Sequence, residues 1–121
     1  MLLTKLLQNN NVPFKLIDTN GKIKIFKILN KLNICFVTER GNQFQLDRDT
    51  FDYLNENSIP YWLLLHDTAL QKLYLLVLKQ ENNWVKSCFE GCDKGKIYLG
   101  KQVLNSAISN EDFVNKVKEL Q

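Results

Sequence analysis

Apolar side chains first recur along this chain at helical spacing. Leu2, Leu3, Leu6 and Leu7 predict a short amphipathic helix over residues 2–9, which Asn9-Asn10-Asn11 ends. Residues 12–18 and 22–29 then read as strands on either side of Thr19-Asn20-Gly21. Asn-Gly supplies the positive φ angles of a tight hairpin and is the strongest local signal in the sequence. In the second strand the alternation changes phase between Ile25 and Phe26, which predicts a bulge or a strand buried on both faces. Residues 30–32 turn the chain into a third strand over 33–39.

After a Gly41-Asn42 turn, Phe44-Gln45-Leu46 predicts a short edge strand. Asp47 or Asp49 is placed to cap a helix that sets Phe51 and Leu54 against a sheet. Pro60 stops that helix. Residues 61–66 form an almost continuous apolar run, as expected of an interior strand covered on both faces, and residues 72–78 form its hairpin partner. Asn82 or Asn83 is placed to cap a helix carrying Trp84, Val85, Cys88 and Phe89 and ended by Gly91. Residues 93–96 read as a polar loop, and Ile97-Tyr98-Leu99 as a strand followed by a glycine break. A final helix is expected with Asn110 as its cap, Glu111 and Asp112 in its first turn, and Lys116 and Lys118 in its last. These elements predict a single α/β (α+β) domain over residues 1–121, with a mostly antiparallel mixed sheet flanked by helices.

The order of elements and the side chains of residues 44–78, FQLDRDTFDYLNENSIPYWLLLHDTALQKLYLLVL, resemble the later half of a family of small bacterial domains of unknown function. That family is a branch of the restriction-endonuclease-like (PD-(D/E)XK) superfamily. The similarity is weaker over 12–43, and the last third adds compatible elements. The resemblance implies a restriction-endonuclease-like fold and an association with bacterial defence against phage and mobile DNA, often beside ATPase modules.

Nucleases of that fold hold Mg²⁺ with an Asp on one hairpin strand and an Asp, Glu or Gln on the next, followed two residues later by a lysine. The ion needs hard oxygen ligands converging from neighbouring strands. Aligned on residues 12–29, Pro13-Phe14 stands where Pro-Asp would lie and Ile25-Phe26-Lys27 where the acid-x-Lys triplet would lie, so only Lys27 survives. Aligned on the third strand, Cys35-Phe36-Val37 takes that place and the lysine is lost as well. Independently of alignment, no Asp, Glu or Gln in the chain is followed two residues later by Lys. The catalytic candidates are Asp18, Lys27 and Glu39, the two acids being the only ones upstream that could act as migrated ligands.

Other chemistry has little to build on. Cys35, Cys88 and Cys92 make an odd count, which argues against a disulfide framework. A zinc site would need them to converge with the one histidine, His66, and knuckle spacing is absent. His66 adjoins Asp67, but neighbouring strand residues point to opposite faces. There is no G-x-S-x-G, P-loop or G-x-G-x-x-G sequence.

The net charge of +3 is small, yet Lys5, Lys15, Lys22, Lys24, Lys27 and Lys31 face the single acid Asp18 over residues 1–31. This is either a phosphate-meeting surface or a solvated strand face. In the last third, Trp84, Lys86, Lys94, Lys96, Tyr98 and Lys101 interleave aromatics with lysines, as single-strand binders do. The simpler expectation is that Trp84 and Tyr98 fill the core. The nucleic-acid candidates are Lys22, Lys24, Lys27, Lys94, Lys96 and Lys101. Leu2, Leu3, Leu6 and Leu7 dock either on the sheet or on a partner.

The start of the chain lacks a secretory pattern and no stretch reaches the length of a membrane span, so a cytoplasmic protein without a membrane partner is expected. The expected function is that of a non-catalytic accessory subunit binding nucleic acid or a protein from the same operon, without cofactor. Two alternatives stay open: an active nuclease using Mg²⁺ through migrated ligands, and a purely protein-binding inhibitor or immunity-type regulator.

Overall fold

The continuous apolar runs of the sequence lie at the centre of a sheet covered on both sides. The computed structural model describes residues 2–20, 23–39, 43–56, 60–77, 85, 87–88 and 95–120, without the side chains of 18–20, 55, 101–102 and 104. Helix α1 (Leu2–Asn9) leads into β1 (Phe14–Asn20), β2 (Ile23–Ile28) and β3 (Leu32–Thr38). Strand β4 (Phe44–Asp47) runs directly into α2 (Arg48–Glu56), and β5 (Tyr61–Asp67) and β6 (Lys72–Val77) follow. Then come β7 (Lys96–Leu99), a 3-10 helix (Lys101–Ser106), β8 (Ala107–Ile108) and α3 (Asn110–Lys118).

Six strands pair in the order β1-β2-β3-β5-β6-β8, while β4 and β7 pair in a separate ribbon. Within the large sheet β3 and β5 run parallel and every other pair is antiparallel. The mostly antiparallel mixed sheet flanked by helices is thus the observed fold. The short strand over 44–46 does not join the large sheet; it pairs with β7, Phe44 opposite Leu99 and Asp47 opposite Lys96.

Alternation along the strands divides the core in two. On the helix face, Phe26, Ile34, Phe36 and Leu64 pack against Leu3 and Leu7 of α1 and Phe113 and Val117 of α3. On the ribbon face, Ile25, Cys35 and Leu63 pack against Leu46 of β4, Phe51 and Leu54 of α2, and Ile97 and Leu99 of β7. Strand β2 is buried on both faces, Ile23 and Ile25 on one and Phe26 and Ile28 on the other. A bulge occurs too, but on the neighbouring strand. Leu16 pairs with Phe26 and Asp18 with Ile25, leaving Ile17 as the extra residue of β1.

Turn chemistry explains where the predicted boundaries move. Asn11 adopts φ 57°, Val12 N–H donates to the Leu7 carbonyl at 2.9 Å and Asn11 N–H to that of Gln8 at 3.2 Å. This double closure caps α1 and packs Val12 against the same core as Leu7, so Val12 is buried without belonging to a strand. Leu29 and Asn30 both take left-handed backbone, and Lys31 N–H closes on the Ile28 carbonyl at 2.9 Å, so β2 stops before Leu29. The cap of α3 is Ser109, not Asn110: its Oγ accepts from Asp112 N–H at 3.0 Å, and Asn110 is the first helical residue. Gly95, at φ +70°, offers its carbonyl to Arg48 N–H at 2.8 Å, tying the start of β7 to the start of α2. Of the helix predicted after residue 82, Val85, Ser87 and Cys88 have helical backbone; Trp84, Phe89 and Gly91 lie outside the described residues.

Candidate functional site

The two positions that the resemblance assigns to metal-binding acids are both used for packing. Phe14 packs edge-on against Phe26, ring centroids 5.8 Å apart, on the helix face. Ile25 is 2% exposed on the ribbon face. Because the two lie on opposite sides of the sheet, acids placed there would point away from each other. Under the alternative alignment Cys35 takes the acid's place. It is fully buried, and burial, with a smaller push from the Asp47 carboxylate, drives its thiol pKa up to about 12. It is a protonated, inert core side chain.

Cys35 faces the ribbon, whereas His66 pairs with Leu73 and packs its ring 5.8 Å from Phe36 on the helix face. The sheet separates these two members of the conceivable zinc set. Cys88 packs half-buried against the ribbon-side core, and Cys92 lies outside the described residues. Among the described residues, no group of three His, Cys, Asp or Glu side chains is arranged to hold a metal ion.

Glu39, one of the migrated-ligand candidates, follows β3 and braces the β5–β6 turn. Its carboxylate accepts from Thr68 N–H at 2.9 Å and from Thr68 Oγ1–H at 2.7 Å, while its own N–H donates to the His66 carbonyl at 3.1 Å. Asp67 Oδ1 accepts from Leu70 N–H at 3.1 Å in the same turn, so this carboxylate is directed to the turn backbone. Burial lowers the His66 pKa, and the Glu39 and Asp67 carboxylates partly oppose that shift, leaving the imidazole mostly neutral at pH 7. A Glu39→Ala variant is expected to lose about 1–2 kcal/mol of stability, the scale of charge-assisted bonds at a partly exposed turn. Denaturant unfolding checks this; an unchanged midpoint would deny the turn its brace. Asp18 pairs with Ile25 through the backbone of β1, and its side chain lies outside the described residues.

The basic candidates do not form one surface. Lys24 pairs with Phe36 of the helix face, and Lys27 with Asn33, which shares the ribbon face with Cys35. An odd spacing on a strand puts these lysines on opposite sides. Lys27 instead lies beside Lys15, its direct partner on the edge strand β1. Sequence reasoning left Lys15 out of the binding set, although hairpin register brings it there. Among the described residues neither lysine is in an ion pair, and like charges directly opposite each other on a sheet repel. Asn33, next in the row, is 1% exposed, and its Oδ1 has no hydrogen-bond partner among the described residues. The row Lys15–Lys27–Asn33 crosses three strands on one face, with two cations at its open end.

Lys96 is exposed at the start of β7, directly across from Asp47. Lys22 and Lys94, and the side chain of Lys101, lie outside the described residues. Tyr98 is not a core residue. It is 51% exposed on the outward side of β7, beside Gln45 of β4, while Ile97 and Leu99 point inward. The alternation Lys96-Ile97-Tyr98-Leu99 carried that information, since it puts Tyr98 on the lysine's side of the strand. The leucines of α1 are docked on their own sheet, with Leu3 and Leu7 fully buried. No helix among the described residues is long and apolar enough to cross a membrane. No family model matches this chain, and no curated protein matches it.

Proposed function

We propose that this chain is a non-catalytic, restriction-endonuclease-like accessory domain that binds nucleic acid through the Lys15–Lys27 pair, in a cytoplasmic system of bacterial defence or mobile-element control. The carrying observation is an asymmetry at the place where hydrolytic chemistry is expected. The acid positions hold Phe14 and Ile25, committed to opposite cores, whereas Lys27 remains half-exposed and is doubled by Lys15 across the strand pair. Oxygen donors for a divalent cation are replaced by hydrocarbon, and the positive charge that attracts a phosphodiester is retained. The order β4, α2, β5, β6 over residues 44–78, on which the family resemblance rests, supports the ancestry.

The test is binding of labelled DNA and RNA at low salt, with and without Mg²⁺. Binding without nicking is expected. Replacing Lys15 and Lys27 together by glutamine should weaken it and flatten the slope of log affinity against log salt by about 1–2, since each lost phosphate contact contributes roughly 0.7–0.9. Unchanged binding in the double variant would reject this surface. Absence of binding together with a stoichiometric complex with a neighbouring gene product would favour the regulator, and Mg²⁺-dependent nicking the nuclease.

A further inference from the structure

The β4–β7 ribbon lies over the ribbon face of the large sheet, and its outward surface has a composition unlike that of the rest of the layer. Alternation sends Phe44, Leu46, Ile97 and Leu99 into the core and leaves Gln45, Asp47, Lys96 and Tyr98 outside. Tyr98 is held on paired backbone directly opposite Gln45, whose Nε2 donates to Asp47 Oδ1 at 3.2 Å. Its ring is therefore an exposed aromatic plate on a rigid strand, with a fixed amide beside it and an ammonium two residues away, roughly 6.6 Å along the strand. The ribbon packs through Leu46, Ile97 and Leu99 on the face of the large sheet that carries Ile25 and Cys35, and register puts Lys15 and Lys27 on that same face, so the plate and the two lysines lie on the same side of the sheet.

Charge limits what can lie there. The exposed Asp49, Asp52 and Glu56 make the outer surface of α2 unfavourable for an anionic ligand, whereas on the ribbon the single acid Asp47 lies across from Lys96. A duplex keeps its bases stacked on one another and cannot lay one on a tyrosine ring; an unpaired strand can. Resting on the nucleic-acid function proposed above, we propose that the outward face of the ribbon is a stacking platform for an unpaired base, with Tyr98 beneath the base, Gln45 at its edge and Lys15 and Lys27 on the adjoining backbone. The preferred ligand of this chain is accordingly single-stranded nucleic acid.

The test compares the full chain with its Tyr98→Ala, Tyr98→Phe and Lys15→Gln/Lys27→Gln variants. Each is titrated against a labelled oligothymidine and a labelled duplex of equal length at low salt, after urea unfolding has shown each variant to be folded. The unaltered chain should prefer the single strand. Tyr98→Ala should lose roughly tenfold or more of that affinity, the scale of one base stack, with little change for duplex, and Tyr98→Phe should retain it. Equal affinity for both forms, or a Tyr98→Ala variant that binds the single strand unchanged, overturns the platform. If the lysine double variant then still weakens both forms, the nucleic-acid function stands without the platform. If no nucleic acid binds at low salt, both fall.

Discussion

An Ile25→Asp variant is expected to lose about 3–5 kcal/mol of stability at neutral pH and to gain no nuclease activity. Under the alignment on residues 12–29, the resemblance would put the acid of the triplet at position 25, so this substitution is the direct attempt to supply one. Ile25 lies in a strand with neighbours on both sides and packs with Cys35 and Leu63 on the ribbon face. The nearest cation that the register supplies on that face is Lys27, half-exposed and roughly 6.6 Å along the strand, too far for a direct ion pair at the backbone positions, and Phe14, the other acid position, is on the far face of the sheet. The buried group would respond by holding its proton, so its folded pKa would rise above the unfolded value of roughly 3.9. Between those two values the folded state binds more protons than the unfolded chain, and stability therefore falls as pH rises. The deficit relative to the unaltered protein should be smaller near pH 4 than at pH 7 without vanishing, because the lost packing of Ile25 does not titrate. Urea midpoints of both proteins at the two pH values test this. A normal midpoint at pH 7, with phosphodiester cleavage in Mg²⁺, would overturn both the packing account and the non-catalytic function.

A Phe113→Ala variant should lose about 3–5 kcal/mol, a large share of the stability of a chain this size. Phe113 is fully buried at the centre of α3 and belongs to the cluster that joins α3, α1 and the helix face. Truncating the ring removes its burial and leaves a cavity between α3, α1 and the sheet, whose walls can collapse only partly because the surrounding side chains are already packed. The opposite face carries Lys15, Lys27 and Tyr98. The fraction still folded should consequently bind nucleic acid as before, separating a loss of stability from a loss of the site. A deficit below about 1 kcal/mol would mean that α3 is not docked as described.

The strands with continuous apolar runs were legible in the sequence because burial on both faces leaves no polar positions to confuse their period. The runs over 61–66 and 72–78 correspond to β5 and β6 within a residue at either end. The pairing of β4 with β7 was not legible. Four-residue strands far apart in sequence acquire a partner only through tertiary packing, and a two-residue β8 carries no period at all. Other misses had a readable signal. Ser109 and Asp112 form the S-x-x-D pattern of a reciprocal cap, and that pattern outranks Asn110. The three-residue step from Lys24 to Lys27 already excluded a common face on a strand. Lys15 needed the hairpin register, which the bulge at Ile17 shifts by one residue. No local pattern reveals the buried Asn33, because its environment is set by β5 arriving from a distant part of the chain.

The parallel contact of β3 with β5 divides the sheet into two hairpin-built halves, β1-β2-β3 on one side and β5-β6 on the other. Each half can form from sequence-local contacts, while their junction must wait for the intervening chain to loop back and place Asn33 beside Tyr61. Closing that seam is therefore expected to be the slow step of folding, and α1 and α3, from opposite ends of the chain, pack into one cluster with side chains of both strands on the same face.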